Sequence, residues 1–200
     1  MGSWWDAASV QRMIDAIPDG ALLMLDEAYG EFAPDGTLPP LDVTNPKLLR
    51  FRTFSKAYGL AGMRLGYCIG HADLIRAFDK IRNHFGVTKL GQVAGIAALD
   101  DQNHLRSVVN RVAAAREQIA AIARKNGLAP LPSATNFVTI DCGRDGAFAK
   151  RGLDVPVASG VFVRMPGVAP LNRCIRVTAG TEEDLAIFAE ELPKALAKAG

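Results

Sequence analysis

The chain is short of cysteine, of net charge and of long apolar runs, and each shortage removes a class of protein. Its three cysteines, Cys68, Cys142 and Cys174, lie far apart, are odd in number and show no C-x-x-C spacing. That excludes a disulfide framework and a thiolate metal site, and the thiols read as reduced, in a cytoplasmic protein. Charge of one sign is missing too: 23 basic and 21 acidic residues are interspersed, for a net charge of +2. No basic stripe or tail points to nucleic acid or an anionic membrane. No apolar run approaches the roughly 18 residues that span a bilayer, and residues 1–6 lack the positive-then-apolar order of a signal peptide. His71, His84 and His104 are isolated, which favours surface or capping roles over metal ligation. A G-x-G-x-x-G or Walker-type loop is absent, which argues against a nucleotide-binding domain.

What the chain does have is enough apolar residue, 49% of 200, to build one domain or two small ones. Residues 7–17 place Val10, Met13, Ile14 and Ile17 at helical spacing, and Pro18-Asp19-Gly20 stops that helix. Residues 21–25 form a continuous apolar run ending in Asp26-Glu27, the pattern of a parallel strand buried on both faces. Ligands of such sheets bind at the carboxyl ends of the strands. After a Pro- and Gly-marked loop over 32–46, residues 48–54 read as a strand that delivers Ser55 and Lys56, and 64–69 as another. A helix over 73–82 carries Leu74, Ile75, Phe78 and Ile81 on one face. This α/β alternation predicts a mostly parallel sheet with flanking helices.

Residues 87–99 and 104–125 read as alanine-rich helices, the second stopped by Gly127. Beyond it the texture changes to short β-rich runs at 137–142, 161–165 and 174–178. Thr181-Glu182-Glu183-Asp184 then caps a last helix, which Pro193 is expected to end or kink.

The densest chemistry lies in Ser55-Lys56-Ala57-Tyr58-Gly59-Leu60-Ala61-Gly62-Met63-Arg64-Leu65-Gly66-Tyr67. An amine that can form an imine sits beside a hydroxyl, and a guanidinium follows through small residues and glycines that let backbone approach a ligand. Two more motifs accompany it, Asp26-Glu27-Ala28-Tyr29 and Arg176-Val177-Thr178-Ala179-Gly180-Thr181. Taken together they resemble the fold-type-I pyridoxal-phosphate aminotransferases, and most of all the histidinol-phosphate aminotransferase branch. The likeness to the branch's D-E-A-Y, S-K-A-x-G-L-A-G-x-R-x-G-Y and R-[IV]-[ST]-x-G-T motifs is nearly letter for letter, and it extends over residues 1–192.

The resemblance implies a fold and a set of roles. Residues 1–102 would be the remainder of a large pyridoxal-phosphate-binding α/β domain, 103–126 a bridging helix and 127–200 a small C-terminal α+β domain. Lys56 would be the catalytic lysine, first anchoring the cofactor aldehyde and then moving a proton. Asp26 would face the pyridine nitrogen and keep it protonated. Tyr29 would donate to the cofactor's ring oxygen, and Ser55 and Arg64 would bind its phosphate. Arg176 would hold the substrate's anionic group, with Arg164, in Gly160-Val161-Phe162-Val163-Arg164, as a second arginine for a substrate phosphate. Asn136-Phe137 matches a family N-F pair to which no role is assigned.

The resemblance also implies small-molecule partners: histidinol phosphate or an aromatic amino acid as donor, 2-oxoglutarate as acceptor, and a second copy of the chain in a homodimer. Decarboxylases and racemases share the fold. Met1-Gly2-Ser3 looks like the tail of the family's N-P-x-N-P-x-G segment, so the chain reads as roughly the C-terminal half of such an enzyme. It would lack the phosphate-cradling loop, the stacking aromatic and the tyrosine lent across the dimer, and have little activity alone. The alternative from another class is a non-catalytic fragment or partner-binding relative.

Overall fold

The computed structural model describes residues 1–158 and 161–199. It divides into two compact units, one of Trp4–Val109 and one of Asn110–Gly200 together with Met1–Ser3.

In the first unit, α1 (Ala7–Asp15) begins at Asp6, whose carboxylate accepts from the Ser9 N–H at 2.8 Å. That cap satisfies one of the orphan donors of the first turn. Strands β1 (Leu23–Asp26), β2 (Leu48–Thr53) and β3 (Gly66–Gly70) form a three-stranded sheet in that order. β1 and β2 run parallel, with Asp26 opposite Phe51, whereas β3 returns antiparallel, with Tyr67 opposite Arg52. The sheet of this unit is therefore mixed rather than mostly parallel. β1 does not have the two buried faces that its apolar run suggests, for Leu22 is 56% and Met24 68% exposed. It lies at the sheet edge beside β2 alone, and period-two alternation turns Met24 and Asp26 to the open side.

The same unit holds α2 (Ala72–Phe78) and α3 (Lys89–Asp100). His71 caps α2 by accepting from the Asp73 N–H at 3.2 Å, and Thr88 caps α3 by accepting from Gly91 at 3.0 Å. α2 ends short of the expected residue 82, leaving Ile81 82% exposed.

A 24-residue helix, α4 (Gln102–Lys125), contains the division between the units. The second unit then builds β4 (Ala129–Pro130), β5 (Phe137–Asp141), α5 (Gly146–Ala158), β6 (Cys174–Thr178) and α6 (Glu182–Ala199). Its three strands are antiparallel in the order β4-β5-β6. Alternation along β5 and β6 pairs Val138 with Val177 and Ile140 with Ile175 on one face. Those residues share one core with Ala115, Ile119 and Ala123 of α4 and Leu185, Phe188 and Leu192 of α6. Burial of side chains of this size stabilises by about 1.5–3 kcal/mol each.

Two expectations change here, and one helix is new. The run 161–165 forms no strand; Arg164 alone makes a bridge, to Arg176. Pro193 does not end its helix, which continues to Ala199. Residues 146–158, which show no clear periodicity and include two glycines and a proline, form α5. The cap of α6 holds as read: Asp184 accepts from both the N–H and the hydroxyl of Thr181 at 2.8 Å.

Met1–Ser3 is tied into the second unit by backbone contacts. Thr139 Oγ1 donates to the Met1 carbonyl at 3.0 Å and the Ala134 N–H to the Gly2 carbonyl at 2.8 Å. Gly2 has φ +96, and a Cβ there would meet Ser133 Oγ at 2.5 Å, so only glycine suits the position. No helix among the described residues is long and apolar enough to cross a membrane.

Candidate functional site

The Lys56 segment is a loop tied to itself. Leu60 N–H donates to the Phe54 carbonyl at 2.9 Å and Gly59 N–H to the Lys56 carbonyl at 3.0 Å. Phe54, 4% exposed, and Ala57, fully buried, are apolar anchors on either side of Ser55-Lys56. The phenylalanine ring packs against Tyr58 and Tyr67 with centroids 5.0 and 5.5 Å away. Gly59 takes φ +70, which turns the chain without strain. The result is a half-buried lysine whose backbone is fixed.

That amine lies 5.3 Å from the centroid of the Tyr29 ring. The structure thus brings together two motif residues that are far apart in sequence, through a cation–π contact. Asp26 ends β1 on the open face, and its Oδ1 accepts from the Ala28 N–H at 2.9 Å. It lines a recess of about 370 Å³ with Met24, Ala28, Phe51, Arg52 and Thr53. Ser55 donates its backbone N–H to Thr53 Oγ1 at 3.1 Å, which fixes its backbone at the end of β2.

Arg64 closes the loop in a left-handed conformation, φ 50, unlike any other non-glycine among the described residues. Such a backbone costs about 1–2 kcal/mol for a side chain with a Cβ. Its Nη1 donates to the Ala61 carbonyl at 2.8 Å, and the rest of the guanidinium is exposed. A glycine would take this turn more easily.

In the second unit Arg164 and Arg176 stand directly opposite one another. Each N–H donates to the other's carbonyl, at 3.1 and 2.7 Å. Residues so paired project to the same face of the sheet, where two like charges repel. The Arg176 guanidinium lies 4.5 Å from the Phe137 ring centroid, on the face opposite the helix-packed core. Gly160, first residue of the motif that carries Arg164, lies outside the described residues.

Four residues that the motif reading passed over stand out in the structure. Glu27, 4% exposed, accepts from Arg50 Nε at 2.6 Å and from Arg52 Nε at 3.0 Å. Arg50 Nη2 lies 2.5 Å from the same Glu27 oxygen as an ion pair without hydrogen-bond alignment. Its Nη1 donates to the carbonyls of Pro39 and Pro40 at 3.0 Å each. Burial is the largest single influence on Arg52 and works against its charge, but Glu27 and Tyr67 together outweigh it, and its pKa lies above the ordinary arginine value. Glu31 has both carboxyl oxygens shut from solvent with no hydrogen-bond partner among the described residues. Burial raises its pKa, its own backbone N–H and the nearby Arg52 oppose the rise, and Glu27 adds to it. One sequence signal did exist: two arginines at alternate positions of an apolar strand need a buried counter-charge.

The profile of the aminotransferase class I and II family matches residues 1–192. The chain is 38% identical over 198 residues to histidinol-phosphate aminotransferase of Bacillus subtilis, covering 96% of this chain and 54% of that protein. It is 49% identical to the histidinol-phosphate aminotransferase of Sinorhizobium meliloti, whose structure was solved with pyridoxal 5′-phosphate; the TM-score is 0.97 over 100% of this chain and 55% of that one. L-threonine-O-3-phosphate decarboxylase of Porphyromonas gingivalis, 20% identical, shares the fold with a TM-score of 0.82 over 98% of this chain and 61% of its own. The chain therefore spans about half the length of the relatives it matches. On the match over residues 1–192 and the identity to curated members, this chain belongs to the aminotransferase class I and II family.

Proposed function

We propose that this chain carries the lysine-bearing part of a pyridoxal-phosphate-dependent aminotransferase site, working on histidinol phosphate or an aromatic amino acid with 2-oxoglutarate as amino acceptor. The observation that supports it most is Lys56, anchored between buried Phe54 and Ala57 with its amine over the Tyr29 ring. The residues present fit the cofactor: an amine, a carboxylate on an open recess, a phenol near the amine, and an exposed arginine at the end of a glycine-bearing loop. When bound, pyridoxal phosphate supplies a protonated ring that withdraws electrons from the substrate's α carbon.

The chain's own residues then have separate tasks. Lys56 Nζ holds the cofactor aldehyde and, once released, takes and returns a proton. The Asp26 carboxylate favours the protonated ring nitrogen, because an adjacent anion stabilises a cation. Tyr29 donates a hydrogen bond to the ring oxygen. Ser55 and Arg64 bind the phosphate, the arginine through a permanently charged fork. Arg176 and Arg164 hold the substrate's anionic group; two guanidiniums on one face repel until an anion lies between them. The working form on this reading is a cytoplasmic homodimer, and the 200-residue chain alone binds the cofactor weakly.

Titrating the chain with pyridoxal phosphate while following its visible absorbance tests this. The expected result is a weak band, lost in Lys56→Ala, with little turnover of amino donors. A band that survives in Lys56→Ala removes the role of Lys56. Near-stoichiometric occupancy with turnover refutes the weakness of the isolated chain.

A further inference from the structure

Asp26 and Glu27 are neighbours in sequence, yet strand alternation sends them to opposite faces at the end of β1. Asp26 lines the open recess. Glu27 is buried on the side of Leu25 and Arg50, a pair that lies in register across β1 and β2. Its N–H donates to the Phe51 carbonyl at 2.8 Å, while its carboxylate takes Nε of both Arg50 and Arg52. Arg50 reaches on to the carbonyls of Pro39 and Pro40, and Arg52 lies opposite Tyr67 of β3. One carboxylate therefore links the end of β1, the end of β2 and the 39–40 loop.

These are the two segments that deliver the proposed site. β1 ends at Asp26 and leads to Tyr29; β2 ends at Thr53 and leads to Ser55 and Lys56. A buried ion pair is an expensive way to join strands, since desolvation offsets most of its attraction and well-packed apolar residues serve stability as well. What charged, directional bonds add over apolar packing is a defined distance and angle. We propose that Glu27 is a positioning residue: through Arg52 and Arg50 it sets the spacing between the segment bearing Asp26 and Tyr29 and the segment bearing Lys56. The inference rests on the pyridoxal-phosphate reading above and adds a residue that touches neither cofactor nor substrate.

The test is site-resolved trapping. The 200-residue chain is incubated with pyridoxal 5′-phosphate, reduced with borohydride, and the modification of Lys56 relative to Lys47, which is ion-paired with Asp19, is read by peptide mass spectrometry. Glu27→Gln, Arg52→Gln and the double variant are compared, each checked for cooperative melting. The Lys56-to-Lys47 ratio is expected to fall about tenfold in each single variant, as displacement of a reacting group by a fraction of an ångström produces. It should fall no further in the double variant, because the two residues act as one unit. General loosening of the fold would not lower this ratio selectively. Arg52, with its side chain 20% exposed, is the milder site, so Arg52→Gln decides the matter where Glu27→Gln does not fold. An unchanged ratio in Arg52→Gln, or losses that multiply in the double variant, overturns the positioning role. A wild-type chain that shows no preference for Lys56 overturns instead the cofactor reading on which it rests.

Discussion

Two glutamates four residues apart, Glu27 and Glu31, are expected to respond to the same isosteric change with opposite signs. Glu27→Gln removes the charge that faces Arg50 and Arg52, leaving a guanidinium that is 2% exposed with no counter-ion. Breaking one side of such a pair costs about 3–5 kcal/mol, a large part of the roughly 5–15 kcal/mol that holds a small domain together. For a unit of this size each kcal/mol lowers the melting temperature by about 4–8 °C.

Glu31 has the reverse balance. Both its oxygens are shut from solvent with no hydrogen-bond partner among the described residues, and burial lifts its pKa above the ordinary 4.5. A carboxyl whose folded pKa is raised is bound to its proton more tightly in the native state. Its contribution is fully present below about 4.5 and is lost as pH rises through the folded value. Glu31→Gln removes the ionisation and should flatten that decline, making the variant more stable than wild type towards neutral pH and no different at low pH. Urea unfolding of wild type and both variants at a series of values from about pH 4 to about pH 8 measures this directly. A Glu31→Gln chain that loses stability at neutral pH, or keeps the wild-type slope, would show that Glu31 is paired and ionised, and would refute the reasoning.

Two other outcomes follow from single positions. At Arg64, φ 50 penalises any residue with a Cβ, so Arg64→Gly should be about 1 kcal/mol more stable than Arg64→Ala while both bind pyridoxal phosphate less well; equal urea midpoints would remove the strain argument. Burial raises the Cys142 thiol to about 11, so it should react with a thiol reagent far more slowly than in the urea-unfolded chain at the same pH; comparable rates would show that the second unit's core opens readily.

Much of the site was legible in the sequence because its chemistry is local. Lys56, its glycines and Arg64 lie on one loop, and the turn at Gly59 and the αL position at Arg64 are properties of that loop alone. β6 and the Thr181 cap of α6 were also legible, since alternation and capping are written within a few residues. α5 was not, because glycines and a proline in 146–158 hide a helix that forms by packing against α6 and the 171–173 turn. Pro193 misled for a related reason: α6 buries Leu185, Phe188, Leu192 and Ala195 along one face, and that burial carries the helix past a missing hydrogen bond.

The sequence by itself determined which groups are available: the amine, the two carboxylates of Asp26-Glu27, the phenol and the arginines, with their local turns and caps. Only the tertiary structure decided how they are used. Pairing β1 with β2 gave Asp26 the open recess and Glu27 the buried arginines, although the two differ in sequence by one position. Pairing β6 with the Arg164 segment set two arginines side by side although they lie twelve positions apart in sequence. Those outcomes depend on which strands become neighbours and in which register, and a one-residue slip in register would exchange the faces of every side chain involved.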